Sequence, residues 1–303
     1  MKKFITFIFL VMILAIVIFY REEIGTSYLK LFSTIDRNVK LEYKNEYYRD
    51  TNYDYVKIVD NFNVKNKEDI INTYYTILNS GIDKFTFFCS NEYKNCIDDV
   101  KEIANNQEIL SNINSFVHPF NSFSSIETKY DSLKRITLKI NKSYTKEEIK
   151  EINNKIDEII NSKLKNVTDK KEIIKVFHDY VINNSKYDSD KSDKNINNYN
   201  SNIAYGPLIQ GYGLCGGYTD SMAIFLDRYD IPNFKIISEN HIWNAVYLDN
   251  EWYHLDLTWD DPVTSDKSDV LEYNFFLITS DELEELATNQ HIYDKSVFSE
   301  LGN

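Results

Sequence analysis

Two runs of alternating residues, "HIWNAVYL" and "EWYHLDLT", flank Asp249-Asn250 and constrain the fold of this chain more than any other feature. An Asp-Asn pair between strand-like segments is a two-residue hairpin signal, because both central residues tolerate the left-handed conformation that such turns require. In that register Leu248 faces Glu251, Trp243 faces Asp256 and His241 faces Thr258. His241 and Asp256 then lie diagonally across one sheet face, with backbones about 7–8 Å apart and side chains able to meet. His254 shares the face but lies opposite Ala245, four residues along from His241. At ordinary strand rise that is roughly 13 Å away, so it cannot take the place of His241 beside Asp256.

A second stretch, "QGYGLCGGYTDSMAIFLDRY", places Cys215 at the start of a helix. Met222, Phe225, Leu226 and Tyr229 follow with helical spacing, so the cysteine sits at the N-terminal end. There, unpaired amide groups and the helix dipole stabilise negative charge on sulfur and can face a developing oxyanion. Gly211, Gly213, Gly216 and Gly217 leave room for a tight turn and close approach. A thiol, an imidazole and a carboxylate in the order Cys215, His241 and Asp256 are what nucleophilic catalysis needs: attacking group, proton carrier and group that orients the carrier. Taken one at a time, each also has a structural reading: a cysteine in a glycine-rich turn, a sheet-end histidine and a turn carboxylate.

These segments resemble the transglutaminase-like superfamily, whose core is similar in arrangement to papain-type thiol proteases. The resemblance rests on "AYGPLIQGYGLCGGYTDSMAIFL", "HIWNAVYLDNEWYHLDLTWDDP" and "YNFFLIT", and spans about residues 168 to 280. It implies an α+β fold in which a helix bearing Cys215 packs on an antiparallel sheet carrying His241 and Asp256. In the family's terms Cys215 is the nucleophile, His241 the general base and Asp256 the orienting acid. Trp259, Asp260 and Asp261 match a trailing motif read as structural support. The chain departs from many relatives in having Gly216 directly after the cysteine and Leu257 after the aspartate. Gln210 invites comparison with an oxyanion-hole glutamine, with Gly216 beside the cysteine, and Tyr205 and Trp243 are candidate pocket walls; core packing is the competing reading for the two aromatics.

Upstream, Phe4 to Tyr20 form seventeen apolar or uncharged residues behind Lys2 and Lys3, with no small-residue cleavage site before Arg21. The run reads as an uncleaved single-pass anchor with the bulk of the chain extracytoplasmic; a cleaved signal and a buried helix are the alternatives. The expected organisation is an anchor over 1–20, a small α/β or α+β domain over 21–142, a connecting amphipathic helix over 143–167, and the catalytic domain over 168–303. Within the small domain, "KFTFFC" reads as a buried strand and residues 123–140 as two strands joined near Asp131-Ser132. The polar stretch 184–202 reads as a long surface loop.

Composition bounds the partners. With 47 acidic against 34 basic residues, a net charge of −13 repels nucleic acid. Three cysteines outside the cytoplasm permit a Cys89–Cys96 bridge that leaves Cys215 unpaired, or three reduced thiols. No cysteine–histidine spacing suggests zinc, and neither cofactor nor metal is expected. The expected function is a membrane-anchored thiol enzyme that attacks a peptide or carboxamide carbonyl, forms a thioester and resolves it with water, on surface protein or cell-wall peptide. Transamidation to an amine and a noncatalytic surface-binding module are the alternatives. Neither the substrate nor the oligomeric state follows from the sequence.

Overall fold

The computed structural model describes residues 12, 16–21, 39–262, 270–286 and 288–302. Two four-stranded sheets organise the chain. The first has the order β1 (Asn63–Val64), β2 (Lys84–Cys89), β4 (Arg135–Lys142), β3 (Phe123–Tyr130). Ile136, Leu138 and Ile140 of β4 alternate inward with Phe85, Phe87 and Cys89 of β2, as a half-buried strand must. Helices α1 (Lys67–Asn79), α2 (Cys96–Asn105) and α3 (Gln107–Ser115) complete this part. Cys89 and Cys96 form a disulfide that ties the end of β2 to the start of α2, and both are fully buried.

Helix α4 (Lys146–Lys163) opens with a capping box between Thr145 and Glu148, as the sequence motif predicts. After it come α5 (Lys170–Asn184), strand β5 (Lys186–Tyr187), α6 (Ser189–Lys194), β6 (Tyr212–Gly213) and α7 (Cys215–Arg228). The second sheet follows, in the order β10 (Phe276–Ile278), β9 (Glu251–Leu255), β8 (Ile242–Leu248), β7 (Asn233–Ile237), with α8 (Ser280–Glu285) after β10. The fold is α+β.

The hairpin has the register read from the sequence: Leu248 pairs with Glu251, Ala245 with His254 and Asn244 with Leu255. Asp249 and Asn250 both take positive φ, 52° and 70°, which gives the primed turn that suits strand twist. Helix α7 lies against β8, where Asn244 Nδ2 donates to the Thr219 carbonyl at 3.0 Å and the Thr219 hydroxyl donates to the Ile242 carbonyl at 2.9 Å. Val246, Leu248 and Leu255 join Tyr218, Met222 and Phe225 in one core.

The other face of the second sheet packs on the first part. Phe234, Ile236, Trp243 and Ala245 share a core with Tyr74, Phe87, Phe116, Ile136 and Leu138 from the first part, and with Val297, Phe298 and Leu301 near the C-terminus. Apolar packing is therefore continuous between residues on either side of 142. Arg49 reinforces the junction: its guanidinium donates to Asp227 at 2.7 Å and to the carbonyls of Phe116 and Asn233 at 3.3 and 3.1 Å.

The stretch 184–202, expected as a loop, contains β5 and α6 and is fastened along its length. Its backbone pairs in parallel with β6, and Tyr199 stacks on Tyr212 with ring centres 4.1 Å apart. Asn200 donates from Nδ2 to Glu148 of α4 at 2.8 Å. The polar composition that suggested a loop instead supplies these side-chain ties.

Among the described residues no helix is long and apolar enough to cross a membrane. The anchor expected at 1–20 falls mostly outside them; residues 16–19 are helical, with Ile16, Ile18 and Phe19 exposed.

Candidate active site

Cys215 is the first residue of α7, half-buried and the free cysteine among the described residues. No side chain caps this helix terminus, because the residue ahead of it is Leu214. Its first-turn amides therefore remain a source of donors for an anion beside the sulfur. The glycines after the cysteine have a steric cause. A Cβ on Gly216 would sit 2.7 Å from the Asn202 carbonyl oxygen, and one on Gly217 would sit 2.3 Å from that of Ser201. Leu214 N–H also donates to the Ser201 carbonyl at 2.8 Å. The 184–202 segment thus runs along the turn that presents Cys215. Tyr187 of β5 is close enough that negative charge at Cys215 adds to burial in raising its phenol above the ordinary range.

His241 lies just before β8, and Asp256 follows β9 directly. The diagonal placement becomes a hydrogen bond of 2.5 Å between His241 Nε2 and Asp256 Oδ2. Cys215 lies near enough to His241 to favour positive charge on its ring. With Nε2 engaged by the carboxylate, Nδ1 is the ring nitrogen left for the sulfur. Burial works against charge on His241, yet Asp256 outweighs it through proximity and the hydrogen bond, and Cys215 adds to it, raising the imidazole to about 10. Asp256 is buried, which alone would raise it, but His241 and then His291 hold it well below the usual carboxylate range. The charged form of the imidazole, held between carboxylate and sulfur, is the state this arrangement favours.

Asp256 is fixed from all sides. Its Oδ1 accepts from Thr258 N–H at 2.9 Å and Trp259 N–H at 3.3 Å, while its own N–H donates to the Phe275 carbonyl at 3.1 Å. This is an aspartate turn at the strand end, the local chemistry that Asp favours. His254 stands apart, as its register requires. Its Nδ1 accepts from Trp243 Nε1–H at 3.0 Å, and its Nε2 pairs with the Ser280 hydroxyl at 3.1 Å.

The other expected site residues have partners of their own. Gln210 Oε1 accepts from Asn200 N–H at 2.7 Å, so its carboxamide clamps the 184–202 segment. The Tyr205 hydroxyl donates to Glu151 of α4 at 2.9 Å. Trp243 is fully buried and stacks beneath His241, with ring centres 5.7 Å apart and planes 15° from parallel, as a floor under the imidazole. Asp260 and Asp261 are structural, as read: Asp260 joins His178 of α5, at 3.1 Å, to the Phe275 N–H, at 2.9 Å, and Asp261 accepts from the Tyr218 hydroxyl at 2.5 Å.

Two features escaped the sequence reading. One is a buried tether on α7: Lys235 Nζ donates to Asp220 Oδ1 at 3.0 Å, and the Tyr144 hydroxyl donates to Asp220 Oδ2 at 2.7 Å while accepting from Ala204 N–H at 2.8 Å. It fixes the helix little more than one turn beyond Cys215. The other is His291, whose Nε2 meets Asp256 Oδ2 at 2.9 Å. Ligand atoms of His241, Asp256 and His291 lie within 4.8 Å of one another, close enough to share a cation. The hydrogen bonds from both rings to one carboxylate oxygen account for that proximity.

Residues 157–257 match the family model of the transglutaminase-like superfamily. Similar solved structures include a TGase crystal structure, at 17% identity and a TM-score of 0.35, covering 48% of this chain and 46% of that one. Another is a candidate cysteine protease from Cytophaga hutchinsonii, at 12% identity and a TM-score of 0.27, covering 44% of this chain and 61% of that one. The chain thus spans less than two thirds of either structure. No curated protein matches the sequence. With the matched residues holding Cys215, His241 and Asp256 in order, the chain carries a transglutaminase-like domain over residues 157–257.

Proposed function

We propose that this protein is a membrane-anchored, extracytoplasmic thiol hydrolase acting on peptide or carboxamide bonds. The observation that carries the reading is the contiguous arrangement of Cys215, His241 and Asp256, with the sulfur at an uncapped helix terminus. The Cys215 sulfur attacks the carbonyl carbon, the C–S bond forms, and helix amides receive the oxyanion. His241 gives its proton to the departing amine or ammonia as the C–N bond breaks, leaving a thioester. Water then attacks, His241 takes its proton, and the carboxylic acid leaves as the thiol is restored. The buried Cys89–Cys96 disulfide supports an oxidising compartment, and the apolar run behind Lys2 and Lys3 supports the anchor.

Incubation of the protein with glutamine-containing peptides, with and without a primary amine, tests the reaction. Mass spectrometry should show a Cys215 thioester, and shorter or deamidated peptides as the main products, all absent in Cys215→Ala. Amine adducts in excess of hydrolysed product would replace hydrolysis by transamidation. No turnover and no thioester on any peptide would leave the noncatalytic binding module.

A further inference from the structure

His291 has no place in the motifs, lies beyond the matched region, and yet shares the carboxylate on which the proposed chemistry depends. We propose that His291 is a positioning residue for the thiol reaction: its Nε2–H holds Asp256 Oδ2 in the orientation that keeps His241 Nδ1 aimed at Cys215. The inference rests on the thiol-enzyme reading above.

The geometry assigns the proton. Asp256 is an ionised acceptor, so His291 Nε2, 2.9 Å from Oδ2, is the donor. Its other nitrogen, Nδ1, lies 2.5 Å from the Thr288 hydroxyl, which can donate to it and thereby fix the tautomer. His291 is about 5% exposed and boxed by aromatic rings. It stacks on Phe275 with ring centres 4.9 Å apart and meets Trp243 and Trp259 edge-on at 4.8 and 5.1 Å. A ring that cannot turn makes a fixed donor.

The carboxylate therefore accepts from four N–H groups: His241 and His291 on Oδ2, and the Thr258 and Trp259 amides on Oδ1. The backbone donors fix one oxygen only. His291 joins His241 in fixing the other, with the two imidazole planes 75° apart. Without it, the carboxyl group can pivot about its Oδ1 contacts, and Oδ2 can leave the line that sets the His241 ring. Packing alone would be satisfied by any flat apolar ring; donation to Oδ2 requires nitrogen.

Two substitutions separate these roles. His291→Phe keeps a ring among Phe275, Trp243 and Trp259 and removes the donor. His291→Gln removes the ring and can still donate from its amide. In the full-length protein, iodoacetamide modification of Cys215 followed from pH 5 to 9 should slow about tenfold in His291→Phe, part of the hundredfold that a full 1 Å misplacement brings, with its pH profile displaced. His291→Gln should recover most of the rate and the wild-type profile, even where its thermal midpoint is the lower of the two. In parallel, the His241 Nε2 proton and nitrogen resonances of histidine-labelled protein should shift in His291→Phe and return in His291→Gln. Unchanged rates and resonances in His291→Phe would overturn the proposal. So would equal losses in both variants that follow thermal stability. An unreactive wild-type thiol would instead overturn the thiol-enzyme reading, while the resonances still decide the role of His291.

Discussion

Alanine at Asp256 is expected to cost about 3–5 kcal/mol of folding stability, because it strands partners that are themselves buried. His241, raised to about 10 chiefly by Asp256 against the opposing effect of burial, would keep a charge without its counter-ion or give up its proton. His291 and the amides of Thr258 and Trp259 would lose their acceptor. Each unsatisfied buried donor adds to the cost of the lost ion pair. Denaturant unfolding of Asp256→Ala beside wild type measures this directly. A loss under about 1 kcal/mol, the value of an exposed pair, would show that the network is solvated and contributes little.

The second large effect is on pH dependence. His118 and His254 are each lowered to about 3, in both cases first by burial. Around His118, Arg49 and Lys235 add to burial and Asp227 opposes it; around His254, His291 adds and Asp256 opposes. In the unfolded chain both titrate near 6.5. Unfolding below that pH therefore takes up protons that the native state refuses, so stability is full above about 6.5 and falls as the solution is acidified. Two protons correspond to about 2.7 kcal/mol per pH unit between pH 6 and 5, above the range where carboxylates titrate. His241 has the opposite sign: its contribution is complete below 6.5 and is lost as pH rises through about 10. Stability should peak near neutrality. Urea midpoints from pH 5 to 8 should show this, with the acid slope halved in His118→Gln or in His254→Gln. A flat response between 6.5 and 5 would mean that these imidazoles are protonated in the native state.

The hairpin that carries His241 and Asp256 was legible because its information is local. Asp249-Asn250 specifies the turn, the turn sets the register, and period-two alternation then places His241 and Asp256 on one face. The Cys215 helix was legible for the same kind of reason, from apolar spacing behind a glycine turn. His291 was not, since it reaches Asp256 across 35 residues and has no periodic partner to announce it. Docking of the two sheets was equally hidden: Phe234 and Ile236 show only that a face is buried, and the same alternation fits any apolar partner. The contact between Gln210 Oε1 and the Asn200 N–H was equally hidden, since chain distance does not announce it. In the 184–202 segment, Asn and Tyr read as loop residues until their partners, Glu148 and Tyr212, are seen beside them.

The central claim is that Cys215 is a nucleophile activated in place by His241. Intact-mass measurement after brief alkylation at pH 6 to 7 tests it most directly, in wild type, Cys215→Ala and His241→Ala. The account predicts rapid single modification of wild type, none in Cys215→Ala, and slowing by roughly a hundredfold in His241→Ala, the lower end of what a positioned acid–base group supplies. Slow modification of the folded wild type, indifferent to His241, would contradict it.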